Sequence, residues 1–272
     1  MNLLEPTPAG SAVAAALVVA GAPMFSVGLR VLRLRRGLKE LTERPLAEVP
    51  SGFVMVAGRV ALDSPLVGPL SCKPCAGFAL EIRGSGTSAR VTEQRPFRLM
   101  ADGVLAQVLA ADGAWEMTAT ARRDLAHGEK TSQNLTALLQ RSPEAAWIAH
   151  SGAFTVVERA LLASQWCWVI GQGNHARPLD LPQELDLQLR KTGTDDAPQT
   201  FAAHAAPSEP DLWLRTDPYL QFLRVSDERP HPASLAPPPW GLVLAVAGPL
   251  LSLTGLVYLA RAAERWRALL GG

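Results

Sequence analysis

Two cysteines three residues apart, Cys72-Lys73-Pro74-Cys75, form the motif with the most chemical potential in this 272-residue chain. A zinc half-site needs a second pair, and the chain offers only Cys167 with the scattered His127, His150, His175, His204 and His231. A redox pair should open a helix, whose end lowers a thiol pKa. Pro74 and a strand-like stretch follow instead. Cys72 and Cys75 therefore read as ordinary thiols at a strand start, with metal or thiol-redox chemistry as the alternative.

Other constellations are weaker. Ser71 and Ser151-Gly152 lack the surroundings of a nucleophile elbow, and His150 reads as a surface or capping residue as readily as a base. Gly171-Gln172-Gly173-Asn174 is too short for a dinucleotide loop and reads as a turn, and Gly84-Ser85-Gly86 reads as a hairpin tip. Asp195-Asp196 fall in a polar loop. Trp166 and Trp168, with Trp115 and Trp147, make either an aromatic ligand platform or core and cover. No catalytic residue, cofactor-binding residue, metal ligand or cofactor is expected.

The elements that must position these residues divide by composition. Hydrophobic residues make up 48% and charged residues 19%, against ~25% charged in soluble proteins. A net charge of +1 gives no global basic field for nucleic acid, and three cysteines exclude a disulfide-stapled scaffold. Pro6 to Leu29 carries no charged side chain, which exceeds the ~20 residues needed to cross the hydrocarbon. A second apolar span runs from Trp240 to Ala260, behind Pro237-Pro238-Pro239, with Trp240 and Tyr258 where rings favour the interface. A cleaved signal peptide would need basic residues before the first span, and Met1 to Gly10 carries only Glu5.

The expected organisation is a tail over 1–9, a transmembrane helix over 10–29 and a basic juxtamembrane helix over 30–47. A β-rich domain over 48–227, a Pro-rich linker over 228–239, a second transmembrane helix over 240–260 and a tail over 261–272 follow. Val27, Val31, Leu34, Leu38 and Leu41 supply the helical spacing of the basic segment. Arg30, Arg33, Arg35, Arg36, Lys39, Arg44, Arg224 and Arg229 on the central side outnumber Arg261, Arg265, Arg267 and the amino terminus. That asymmetry puts the central domain in the cytoplasm. The Ala/Leu/Arg/Pro-rich, Lys-poor composition points to a bacterial inner membrane.

Within the middle, strands are expected at Phe53–Val60, Phe78–Arg83, Arg95–Leu99, Val104–Leu109, Trp115–Thr120, Trp166–Ile170, Leu185–Leu189 and Leu220–Val225. Asp102-Gly103 marks a hairpin turn. Helices are expected at Thr131–Gln140 and Thr155–Ser164, and a flexible loop at Thr192–Pro210. No internal repeat is read. The fold class is two transmembrane helices flanking a mainly antiparallel β (α+β) domain.

Three pieces, in order, resemble the GIDE-type (beside-a-membrane) domain of membrane-embedded RING ubiquitin ligases. Pro69-Leu70-Ser71-Cys72-Lys73-Pro74-Cys75-Ala76-Gly77-Phe78 is similar to its PLSG-[KR]-PC-x-x-[YF] stretch. Pro96-Phe97-Arg98-Leu99 with Asp102-Gly103-Val104 is similar to its PF-x-L hairpin, and Glu158-Arg159-Ala160-Leu161-Leu162 to an E-x-x-L helix before a strand. Cys72 stands where the family has Gly, and Ser164-Gln165 replaces a Gly-acidic pair. The resemblance implies a domain between two spans, facing the intermembrane space in eukaryotic members, with a RING after the second span. Arg261 to Gly272 holds no Cys or His, so the eight RING ligands are not among these residues. The expected function is a membrane-anchored, non-catalytic binding, scaffold or envelope-sensing protein with the lipid bilayer and a protein partner or second copy as partners and no nucleic acid. The alternative is a component of an E3 ubiquitin-ligase-type system with its RING supplied in trans.

Overall fold

The computed structural model describes residues 7–84, 86–110, 113–176, 210–231, 235 and 240–270. The chain divides into two units, Met1–Glu40 with His231–Gly272, and Leu41–Pro230. Expectations for Ser85, Leu185–Leu189, Asp195-Asp196, His204, Pro237–Pro239 and the segment 192–209 lie outside the described residues.

The first unit is a pair of helices, α1 (Pro8–Glu40) and α4 (Trp240–Leu270), each long and apolar enough to cross a membrane. The span and the basic segment expected separately are one continuous helix that ends at Glu40, not at 47. Pro45 disfavours helical backbone at Arg44, and the chain leaves as β1 (Glu43–Arg44) and a 3-10 turn at Leu46–Glu48. α4 runs on beyond Ala260 to Leu270.

The helices meet antiparallel along a seam with a period of seven. Ala14, Gly21 and Gly28 of α1 are buried there, as are Gly241, Gly248, Gly255 and Ala262 of α4. A Cβ on Gly248 would lie 2.6 Å from the Phe25 nitrogen, and one on Gly255 2.5 Å from the Ala14 oxygen. Backbones therefore touch where glycine stands, the contact mode of helices that pack without a hydrophobic drive between them. This repeat was not expected from the sequence, because its residues are small and sit inside uniformly apolar runs. Ser252 Oγ donates to the Val18 carbonyl at 3.5 Å, and the Thr7 amide to the Tyr258 hydroxyl at 3.1 Å. Val19, Leu242, Val243, Val246, Leu250, Leu253 and Val257 turn outward and are exposed.

The second unit contains a small closed barrel. β2 (Gly52–Ala61), β6 (Phe97–Ala101), β7 (Val104–Val108), β12 (Leu212–Arg215) and β11 (Trp166–Asn174) pair in that order, and β11 pairs back onto β2. Alternation puts Val54, Val56, Val60, Phe97, Leu99, Cys167, Val169 and Leu214 inside. β1 joins the edge of β2, while β13 (Arg224–Ser226) and β8 (Ala114–Glu116) extend from β11. In the second sheet β4 (Pro74–Gly84) lies between β5 (Thr87–Gln94) and β10 (Phe154–Leu162), with β3 (Leu66–Val67) and β9 (Ala121–Leu125) beside them. α2 (Gln133–Arg141) and α3 (Pro143–Ser151) cover it through Leu135, Leu138, Ala145 and Ile148. The Ser132 side chain caps α2 by accepting from the Leu135 amide at 3.2 Å.

Thr155–Ser164, expected as a helix, is strand β10 and the turn after it. Its residues are buried on both faces, so the two-residue alternation that marks a strand is missing, and Thr155, Val156 and Val157 are β-branched. Gly171-Gln172-Gly173-Asn174 is strand, not turn. A Cβ on Gly171 would meet the Arg215 carbonyl at 2.8 Å, so these glycines admit neighbouring chain inside the barrel wall. Trp115–Thr120 shortens to β8, and Leu220–Val225 to β13.

Candidate functional site

The Cys72–Cys75 motif does not form a thiol pair. Cys72 is exposed at a turn with φ +57°, and Cys75 is buried at the foot of β4; both are free. Burial, together with the nearby Glu158 charge, pushes the Cys75 thiol up to about 12, the reverse of a reactive cysteine. Cys167 is buried in the barrel core, apart from the Cys75 cluster, and burial raises it as well. Among the described residues no group of three or more His, Cys, Asp or Glu could hold a metal ion.

Ser71 is one end of a clamp. Glu158, fully buried on β10, accepts from the Leu70 amide at 2.6 Å, the Ser71 amide at 3.2 Å and Ser71 Oγ at 2.5 Å. The carboxylate thus fixes the loop before β4, and Ser132 Oγ donates to the Pro69 carbonyl at 2.7 Å. Ser151 donates back to the Trp147 carbonyl, and His150 Nδ1 lies 2.6 Å from the Ala146 carbonyl, both within α3. His175, after β11, reaches the Val49 carbonyl at 2.8 Å and the Asp211 carbonyl at 3.0 Å. Those two bonds favour the imidazolium and raise its pKa.

The four tryptophans do not share a platform. Trp115 packs edge-on against Phe97, Trp147 stands exposed on α3, and Trp168 is half-buried. Trp115 and Trp166 each line a separate concavity.

Two open concavities stand out in the second unit. The first, of about 580 Å³, lies over Glu81, Arg90, Arg159, Trp115, Glu116, Thr118 and Asp227. Three of its carboxylates are occupied. Glu81 lies 2.6 Å from Arg83 and 3.1 Å from Arg159, whose donors hold it below the usual carboxylate range. Glu116 pairs with Arg224, and Asp227 accepts from the Thr118 amide and hydroxyl at 2.9 and 2.5 Å. These bonds tie strands together.

The second groove, of about 740 Å³, is lined by Arg44, Arg59, Arg229, Trp166, Met100 and Asp102, with Pro45, Ala57 and Ala101 between them. Register builds it: Arg59 on β2 stands opposite Trp166 on β11 and opposite Met100 on β6, one row across three strands on the outer face of the barrel. The Arg59 guanidinium sits 5.9 Å from the Trp166 ring centroid. Arg229 pairs with Glu43 at 3.1 Å. Among the described residues neither Arg44 nor Arg59 is held in an ion pair. The arrangement can bind an anion against an apolar wall. Sequence reasoning did not assemble it, since Arg59 and Trp166 lie on strands far apart in the chain; Trp166 was read only with the other tryptophans, and Arg44 and Arg229 only as topology signals. The exposed Trp–Arg row has no local signature beyond the outward parity of Arg59 within β2.

No family model, curated protein or solved structure matches the chain.

Proposed function

We propose that the protein is a membrane-anchored, non-catalytic binding module: a two-helix hairpin that holds a β-rich recognition domain at a lipid surface. The carrying observation is the inside-out helix pair. Small residues fill the seam, while the large apolar side chains face outward, and only 17% of the most apolar window of either helix is buried. The core helix of a soluble protein does the opposite. Hydrocarbon is the solvent those faces match.

The antiparallel seam puts the end of α1 and the start of α4 on one side, in keeping with a central domain on the cytoplasmic face of a bacterial inner membrane. Binding, not turnover, fits a groove that sets arginines beside an aromatic ring, while Glu81, Glu116, Asp227 and Glu158 are engaged in holding strands and loops. The likeness to the GIDE-type domain draws support from two details. Cys72, at the family's Gly position, has the left-handed backbone that favours glycine. Glu158 ties down the Leu70-Ser71 stretch. Its third piece, expected as a helix, is strand.

The test is alkaline carbonate extraction of membranes from cells expressing the full chain. The chain should stay in the pellet. Leu250→Arg with Leu253→Arg, each costing about 2.5–3.5 kcal/mol near a helix centre, should release or destabilise it. Wild-type chain recovered in the carbonate supernatant refutes the anchor.

A further inference from the structure

We propose that the Arg44–Arg59–Trp166 groove binds the phosphate headgroup of an anionic phospholipid; this rests on the membrane-anchored reading and names the ligand class of its domain.

Four observations converge on that occupant. The groove presents three guanidinium groups, Arg44, Arg59 and Arg229, against the carboxylates of Glu43 and Asp102, and Glu43 is taken by Arg229. Arg44 and Arg59 are left to meet an external anion. A guanidinium offers paired N–H donors that match two phosphate oxygens. The Arg59 guanidinium lies within cation–π range of the Trp166 ring, 5.9 Å from its centroid, which sets the charge beside the apolar wall.

The apolar part of the lining distinguishes a lipid from a free anion. Met100 and Trp166 flank Arg59 on either side and remain 37% and 46% exposed. They form a wall on which the glycerol and first methylenes of a lipid can lie. A tryptophan beside arginine is also the pairing favoured at the headgroup level of a bilayer.

Chain connectivity supplies the last argument. Arg44 is the fourth residue beyond the end of α1, a chain length of at most ~14 Å at full extension. Glu43, paired with Arg229, closes the two ends of the second unit upon each other beside Arg44. The groove is thus built on the residues through which the domain is tethered to the helix pair.

The experiment uses the full chain in neutral detergent. It is titrated with dihexanoyl phosphatidylglycerol, dihexanoyl phosphatidylcholine and glycerol 1-phosphate, and bound ligand is counted by native mass spectrometry. The wild type should retain one equivalent of phosphatidylglycerol saturably, about tenfold more tightly than phosphatidylcholine. Arg59→Gln and Arg44→Gln should each weaken it several-fold, Arg59→Lys should restore less than half of the loss, and Asp102→Asn should strengthen it. Arg33→Gln with Arg35→Gln, on α1, should leave the saturable equivalent in place. Arg44, Arg59 and Asp102 are exposed, so the variants should melt with the wild type.

Equal retention of the two phospholipids overturns the proposal, as does unchanged binding in Arg59→Gln and Arg44→Gln. Glycerol 1-phosphate bound as tightly as the lipid replaces the lipid site with a free-phosphate site and overturns it too. Carbonate extraction separates the two readings. A chain that binds phosphatidylglycerol but is extracted by carbonate refutes the anchor alone, and a chain that resists carbonate but shows no selectivity refutes the groove alone.

Discussion

Replacing Glu158 by glutamine or alanine tests whether a buried carboxylate holds the loop before β4. Three donors converge on it, the Leu70 amide at 2.6 Å, the Ser71 amide at 3.2 Å and the Ser71 hydroxyl at 2.5 Å, and the residue is 0% exposed. In Glu158→Gln the carboxamide oxygen can still accept from both amides, while the NH2 group faces Ser71 Oγ, which must turn to accept from it and gives up the bond it donates to the carboxylate. The loss is then one charge-assisted bond, about 1.5–3 kcal/mol. Glu158→Ala leaves both amides without an acceptor, while the half-buried Ser71 hydroxyl can turn to water. Two orphaned donors at about 1–3 kcal/mol each, plus the void, put that variant about 3–5 kcal/mol below the wild type. Urea unfolding of the detergent-solubilised full chain, followed by tryptophan fluorescence, reads both numbers. The glutamine variant should fall between the other two. A glutamine variant within about 0.5 kcal/mol of the wild type, small beside the cost of a lost charged bond, would show that the short contacts carry no net stability and that the loop is held by packing alone.

Other consequences follow from the same geometry. Gly248→Val should force the α1–α4 backbones apart, because its Cβ would begin 2.6 Å from the Phe25 nitrogen; the expected destabilisation is about 1–3 kcal/mol, read as a lower melting temperature in detergent, and an unchanged one would deny the seam. An impermeant maleimide at pH 7.5 should modify one thiol per folded chain, Cys72, since Cys75 and Cys167 are buried with thiols raised by burial. Labelling should vanish in Cys72→Ser, and inside-out vesicles should label where intact cells do not if the domain is cytoplasmic. Cys72→Gly should be neutral or stabilising by up to about 1 kcal/mol, the order of strain a side chain meets in left-handed backbone. His175 has its folded pKa raised above the ordinary value by the Val49 and Asp211 carbonyls. Its contribution is therefore fully present below the unfolded pKa and lost as pH rises through the folded one. The stability gap between wild type and His175→Ala should shrink as pH is raised from 6 to 9, by a small amount because the ring is exposed; a gap that widens contradicts the assignment.

How far the fold was legible depended on whether a segment's burial was one-sided. α1 and α4 were readable from composition alone, and the Asp102-Gly103 hairpin from its turn residues, with Asp102 at φ +52° and Gly103 at φ +79°. β10 was misread because it is covered on both faces. The glycines of β11 were misread because a Gly pair looks the same whether it turns the chain or lets another strand approach. Of the binding groove, Arg44 and Arg229 drew notice as topology charges and Trp166 as one of four tryptophans, and only the folded chain brings them to Arg59.

The amino-acid order determined the two apolar helices and the β-rich character between them, since each depends on residues near in the chain. Tertiary structure decided the rest. Closure of β11 onto β2 sets Trp166 against Arg59, and β10 passing beneath the Pro69–Ser71 loop turns Glu158 into its clamp. Both are meetings of residues about a hundred positions apart, fixed by strand register and burial, which no local pattern encodes.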